Sequence, residues 1–244
     1  MTRLSSVIER RLLVNYRADP EVVAKLLPAP LRPQLVGDRA VAGICAIRLG
    51  AVRPTGLPAA IGTHSENAAH RIAVEWDGPD GVETGVYIPR RDTGSVLNVL
   101  VGGRIFPGAH HRADFTVRAA PGALHIAFTS RDGSAWMRAD VHEVDHFSGS
   151  PLFPDLAAAT DFFRGGSVGY SSGLDPHLLD GIELSVARWQ LHPLEIDEVR
   201  SSFFEDPRHF PPGSIAFDSA MLMRDVAAEW FPRDPMRVAD YAGR

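Results

Sequence analysis

Lysine is almost missing from this chain. Of its 25 basic residues only Lys25 is a lysine; the others are arginines. Arginine keeps its proton at any physiological pH, whereas a desolvated lysine can become the neutral amine that forms an imine. Schiff-base chemistry would therefore rest on Lys25 or on the N-terminal amine. Cysteine is as scarce. The single Cys45 excludes an intramolecular disulfide and fits a reducing, cytoplasmic setting. Its apolar neighbours between Val41 and Leu49 mark it as a buried structural residue. Long hydrophobic runs are absent: MTRLSSVIERRLL lacks the apolar core of a secretory signal, and no segment approaches a membrane span. Nor is there an excess of positive charge. The formal net charge is −5, and the arginines are dispersed among acids, which gives no nucleic-acid footprint. Paired CxxC, GxGxxG and GxxxxGK[ST] do not occur. HEVDH at residues 142–146 matches HExxH, and GGSVG and GYSSG within residues 165–173 match GxSxG, but in letters only: the first begins in a strand where the zinc motif needs a helix, and the others follow a helix where the nucleophile elbow needs a strand before it and a helix after it. No cofactor is therefore expected, no metal is assigned to His110, His111, His142 or His146, and a Ser-His-Asp hydrolase ranks last.

What is present reads as one domain over residues 1–244, mostly β. RRLLVNY, from Arg10 to Tyr16, is a strand. Asp19-Pro20-Glu21 opens a helix with a capping acid and a proline at its first position, and Pro28 ends it, so Lys25 falls in the last turn at the surface. Strands follow over Arg39 to Leu49 and Thr63 to Trp76, separated by a loop from Arg53 to Gly62. The stretch Gly85 to His111 holds a strand stopped at Pro89, caps at Asp92 and Thr93, and a helix over Ser95 to Val101. Gly102-Gly103 breaks that helix before Arg104, and His110-His111 comes after a turn. Three closely spaced strands (Ala113 to Arg118, Ala123 to Ser130, Ala135 to Val144) form a meander. A helix over Phe153 to Arg164, a polar Ser167 to Gly173 segment and a strand over Gly181 to His192 come next. Local propensity makes Ile215 to Trp230 a helix, with a strand over Ser214 to Met223 as the alternative.

The Thr63 to Trp76 strand carries the most chemistry. Alternation puts His64, Glu66, Ala68, His70, Ile72, Val74 and Trp76 on one face. A face that is half aliphatic and half titratable suits a cavity in which Glu66 transfers protons.

These segments together resemble the acetoacetate decarboxylase-like superfamily, and within it the DUF2071 group. The likeness lies in RLLVNYRADPEVVAKLLPAPLRP, SENAAHRIAV, GVYIPRRD, FFRGGSVGYSSG and ELSVARWQLHPL. It implies an α+β, mainly β fold: a large antiparallel β-barrel or curved sheet with small peripheral helices and a ligand cavity. The superfamily's imine-forming lysine would fall within Leu100 to Phe106, LVGGRIF, where Arg104 is the nearest cation. The family glutamate matches Glu66, and an arginine of the pattern matches Arg10, with Arg11 as the alternative. The resemblance implies a cofactor-free enzyme acting on a small organic acid or carbonyl compound by lyase, dehydratase or cyclase chemistry without an imine. Glu66 would be the general acid/base, His70 its partner, and Arg104 the clamp for a carboxylate or enolate oxygen. Arg10, Tyr87 and His110 would bind substrate. The competing class is a non-catalytic small-molecule-binding β-barrel. Neither nucleic acid nor membrane is an expected partner, and self-association as a homo-oligomer stays open.

Overall fold

The computed structural model describes residues 2–101, 106–173 and 175–238. Among these, thirteen strands form one sheet with three short helices around it. In chain order the elements are β1 (Leu4–Ala18), α1 (Pro20–Ala24), β2 (Arg32–Pro33), β3 (Leu35–Val36), β4 (Arg39–Pro54), β5 (Thr63–Gly78), β6 (Gly81–Thr93) and α2 (Val96–Val101). There follow β7 (His110–Ala120), β8 (Ala123–Ser130), β9 (Trp136–Glu143), α3 (Leu156–Gly165), β10 (Val168–Ser172), β11 (Leu178–Val186), β12 (His192–Ser201) and β13 (Ile215–Arg237).

A wall of five long strands, β13-β1-β4-β5-β6, organises the rest. Each outer strand of the wall offers its free edge to two partners. On β6 these are β10 and β7; on β13 they are β11 and β12. The sheet thus closes on itself twice, once through β10-β11 and once through β7-β8-β9-β12. Sequence reasoning led to an antiparallel sheet. The β6–β10 and β6–β7 pairings are parallel, so the sheet is mixed.

Both faces of the wall are buried. Leu12, Ile44, Ile72 and Leu222 pack with Phe128 and Met137 into one core. Leu13, Cys45, Met221 and Met223 pack with Phe163 of α3 into another. Because successive strand side chains point to opposite faces, neighbours such as Leu12 and Leu13, or Met221 and Leu222, serve different cores.

The helix ends follow the sequence closely. The Asp19 carboxylate accepts the Glu21 N–H at 2.8 Å, and Lys25 closes α1 as an exposed side chain. No helix among the described residues is long and apolar enough to cross a membrane. Four segments depart from expectation. The strand expected to stop at Pro89 runs on to Thr93 as β6, because a register shift between His70 and Ile72 of β5 accommodates the proline. Ile215–Arg237 is a single strand despite its helix-forming composition, because pairing with β1, β11 and β12 outweighs a weak local propensity. Gly- and Ser-rich Val168–Ser172 is a strand, and Gly169 and Gly181 let it lie close between β6 and β11. His192–Ser201 is a further strand, where the sequence suggested that one ended.

If both faces of β1 are true cores, Leu12→Ala and Leu13→Ala should each lower unfolding free energy by about 2–5 kcal/mol in denaturant melts. A neutral result for either would mean that its face is not packed.

Candidate functional site

Register builds the first cluster. Arg10 on β1 faces Arg48 on β4, and Arg48 faces Glu66 on β5, so the three stand in one row across the wall. The Glu66 carboxylate accepts from Arg10 Nη2 at 2.6 Å through one oxygen and from Arg48 Nη1 at 3.1 Å through the other. Arg48 also donates from Nε to Glu9 at 2.6 Å, and His64 Nε2 lies 3.3 Å from the same carboxylate. The bonds to Glu9 and then Glu66 raise the Arg48 pKa above its ordinary value. The Arg10 and Glu66 side chains are 11% and 16% exposed, so the pair is mostly withdrawn from water but reachable. Arg10 Nε is buried and has no acceptor among the described residues. A charged fork with one tine bonded and one free is an oxygen-binding feature.

The head of α2 is fastened beside this row. Gly94 N–H donates to the Glu66 carbonyl at 2.8 Å. Thr93 Oγ1 accepts from Ser95 N and donates to Asn67 Oδ1 at 2.8 Å, while Asn98 donates to both Asn67 and Thr93. The cap is Ser95, whose Oγ accepts the Asn98 N–H at 3.3 Å; of the two caps the sequence suggested, Thr93 only holds Ser95 from two residues upstream, and Asp92 does not cap. It is fully buried and receives two 2.8 Å bonds from Arg90 instead. Arg104 lies outside the described residues.

His70 shares the Glu66 face, yet four residues separate them along β5, about 13 Å at the usual strand rise. The structure does not bring the two into contact. His70 is 0% exposed among Phe203, Phe204 and Phe128, with its ring 4.6 Å from that of Phe203, and neither nitrogen has a partner among the described residues. Burial, reinforced by the positive charges of Arg90 and His209, pushes its pKa down to about 3. Tyr87 is further still, opposite Ile72, with its hydroxyl 3.1 Å from Ser172 Oγ.

The remaining predicted residue, His110, sits on the other face of the wall. With Arg91, Asn67, Phe106 and Trp230 it lines a small cavity of ≈ 50 Å³. Its pKa falls to about 4, through burial first and the Arg91 charge second, against a 3.1 Å contact with the Gly108 carbonyl. Burial also lowers Arg91, to about 10. Sequence reasoning missed Arg48 and Arg91. Arg91 could have been separated from Arg90 by parity alone, whereas Arg48 meets Glu66 only through the β4–β5 register.

The family model DUF2071, an uncharacterized conserved protein, matches residues 7–218. Among solved structures, the fold is similar to acetoacetate decarboxylase from Legionella pneumophila, with a TM-score of 0.58 and 12% identity over 98% of this chain and 88% of that one. An acetoacetate decarboxylase-like enzyme from Sphingomonas wittichii RW1 gives 0.55 and 14%, covering 98% and 93%. The enduracididine biosynthesis enzyme MppR, in complex with the condensation product of pyruvate and imidazole 4-carboxaldehyde, gives 0.57 and 11%, covering 98% and 90%. At these identities the likeness is one of fold. No curated protein matches the sequence.

The buried His70 makes stability depend on pH. Its native pKa of about 3 lies below the ordinary 6.5, so the unfolded chain binds more protons between those values. The His70 contribution is complete above pH 6.5 and is lost as pH falls toward 3. Between pH 7 and 4.5 the wild type should lose on the order of 2–3 kcal/mol more than His70→Phe in urea titrations. Equal losses would place the ring in water.

Proposed function

The chain belongs to the DUF2071 family, and we propose that it is an enzyme that binds a small carbonyl- or carboxylate-bearing compound and transforms it by acid–base chemistry without an imine. The observation that carries this is the half-withdrawn Glu66 carboxylate between Arg10 and Arg48, with Arg10 Nε–H free of any acceptor among the described residues. A substrate oxygen taking that N–H would lie beside the carboxylate. Glu66 then removes a proton next to the carbonyl and returns it later, and the two guanidiniums stabilise the enolate oxygen that forms between. Arg104 serves this reading as the clamp on the far end of the substrate.

The absence of an imine rests on the lysine count. Lys25, the only lysine, is exposed at the end of α1. Exposure leaves it without the apolar surround that makes a lysine an imine-forming nucleophile. Acetoacetate decarboxylase and MppR support the substrate class by fold, since MppR has been seen complexed with pyruvate. A cytoplasmic setting, in which Cys45 stays reduced, completes the reading.

Borohydride treatment in the presence of pyruvate or acetoacetate should leave the intact mass unchanged. A trapped adduct on Lys25 or the N-terminus would sink the non-imine claim. In a thermal-shift screen, short keto acids should stabilise the protein. Glu66→Gln should retain that binding and lose roughly 10²–10⁴-fold in turnover of the ligand so found. Ligands that bind without being consumed would instead favour a binding barrel.

A further inference from the structure

On the face of the wall opposite Glu66, three arginines reach into the protein without an acid to meet them. Among the described residues no carboxylate pairs with Arg11, Arg71 or Arg91. This is unusual here, because most other arginines of the wall are paired, as Arg10, Arg48 and Arg90 are. Two of the three converge. Arg71, on β5, is 5% exposed; it donates through Nη2 to Asn15 Oδ1 and stacks 4.7 Å from the Phe163 ring of α3. Its guanidinium rests over Gly43, where a Cβ would come within 3.3 Å of Nη2 and 2.5 Å of the Val14 carbonyl. Arg11, on β1, donates from Nε to Cys45 Sγ at 3.3 Å and lies over the Trp189 ring. Among the described residues each keeps one buried nitrogen donor without an acceptor, Nε of Arg71 and Nη1 of Arg11.

Both guanidiniums line one cavity, closed by Gln34 and by Phe162, Phe163 and Gly166. Its free space is ≈ 10 Å³, about one water-sized atom. Burial lowers Arg71 to about 10, with the Cys45 sulfur opposing that shift and the Arg11 charge adding to it. At neutral pH it is still a cation. Two adjacent cations, Arg71 buried and Arg11 partly so, repel, and a water molecule could bond to them but could not offset their charge. Sulfate, phosphate and carboxylates exceed the space.

We propose that the cavity beneath α3 is a halide site, in which one chloride ion is held between Arg11 and Arg71. The ion accepts the two free N–H groups and ties β1 and β5 to the helix that covers them. The site is independent of the Glu66 reading, and neither stands or falls with the other.

Crystals soaked in bromide decide the question on the unaltered protein. An anomalous peak within hydrogen-bond reach of both guanidiniums is expected; bromide at surface positions only, or nowhere, would overturn the proposal. In solution, melting should rise saturably with sodium chloride and not with sodium gluconate at equal ionic strength. The rise should reach roughly 5–10 °C at a hundredfold excess over the dissociation constant. Arg71→Met should abolish the chloride dependence and Arg91→Met should keep it. Equal melting of the wild type in both salts would refute the site, whatever the variants do.

Discussion

A strand buried on both sides has no solvent face on which to put its charges. The five-strand wall is built under that constraint. Period-two alternation sends successive side chains into different cores, so three charged doublets of the wall are split, whereas Glu9 and Arg10 meet the same cluster because the register shifts between Ile8 and Arg10. Arg10 goes to one side and Arg11 to the other; His70 and Arg71 part in the same way, as do Arg90 and Arg91. Adjacent positions in sequence thus end in unlike electrostatic surroundings.

The two sides handle charge differently. On the first, acids accompany the arginines: Glu66 bridges Arg10 and Arg48, and fully buried Asp92 takes a two-pronged bond from Arg90. Charge-assisted, bidentate geometry of that kind can offset the cost of leaving water. On the second, Arg11, Arg71 and Arg91 meet an amide, a thiol, hydroxyls and aromatic rings. Those groups soften the desolvation of a guanidinium without neutralising it. An acid-paired side suits proton transfer to and from a bound molecule, and a side rich in unpaired cations suits anions.

Much of the first side was legible beforehand. The alternation of His64, Glu66, Ala68 and His70 gave the correct face, and Asp19 and the Ser95–Val101 run gave the starts of two helices. What misled was chemistry judged locally. Asp92 looks like a cap and is a buried counter-ion, since Arg90 lies on the same strand and face two residues away. His70 looks like a partner for Glu66, and the aromatic side chains Phe203 and Phe204 enclose it instead. Both phenylalanines come from a loop more than a hundred residues downstream, which no window around His70 contains. The 23-residue β13 is the same lesson at the level of backbone, with Ala, Met and Leu held extended by strands on both edges.

Composition and periodicity by themselves determined that the chain is mainly β, that an imine has one lysine to draw on, and that Glu66 shares a face with aliphatic residues. These follow from residue chemistry and from the fixed two-residue repeat of a strand, neither of which needs a partner. Only the tertiary structure decided which residues stand in one row, that the sheet closes twice, and that Arg11 and Arg71 line one cavity with Phe162 and Phe163 of α3. Such facts depend on register between strands distant in sequence, and a shift of one residue would exchange every inward side chain for its neighbour.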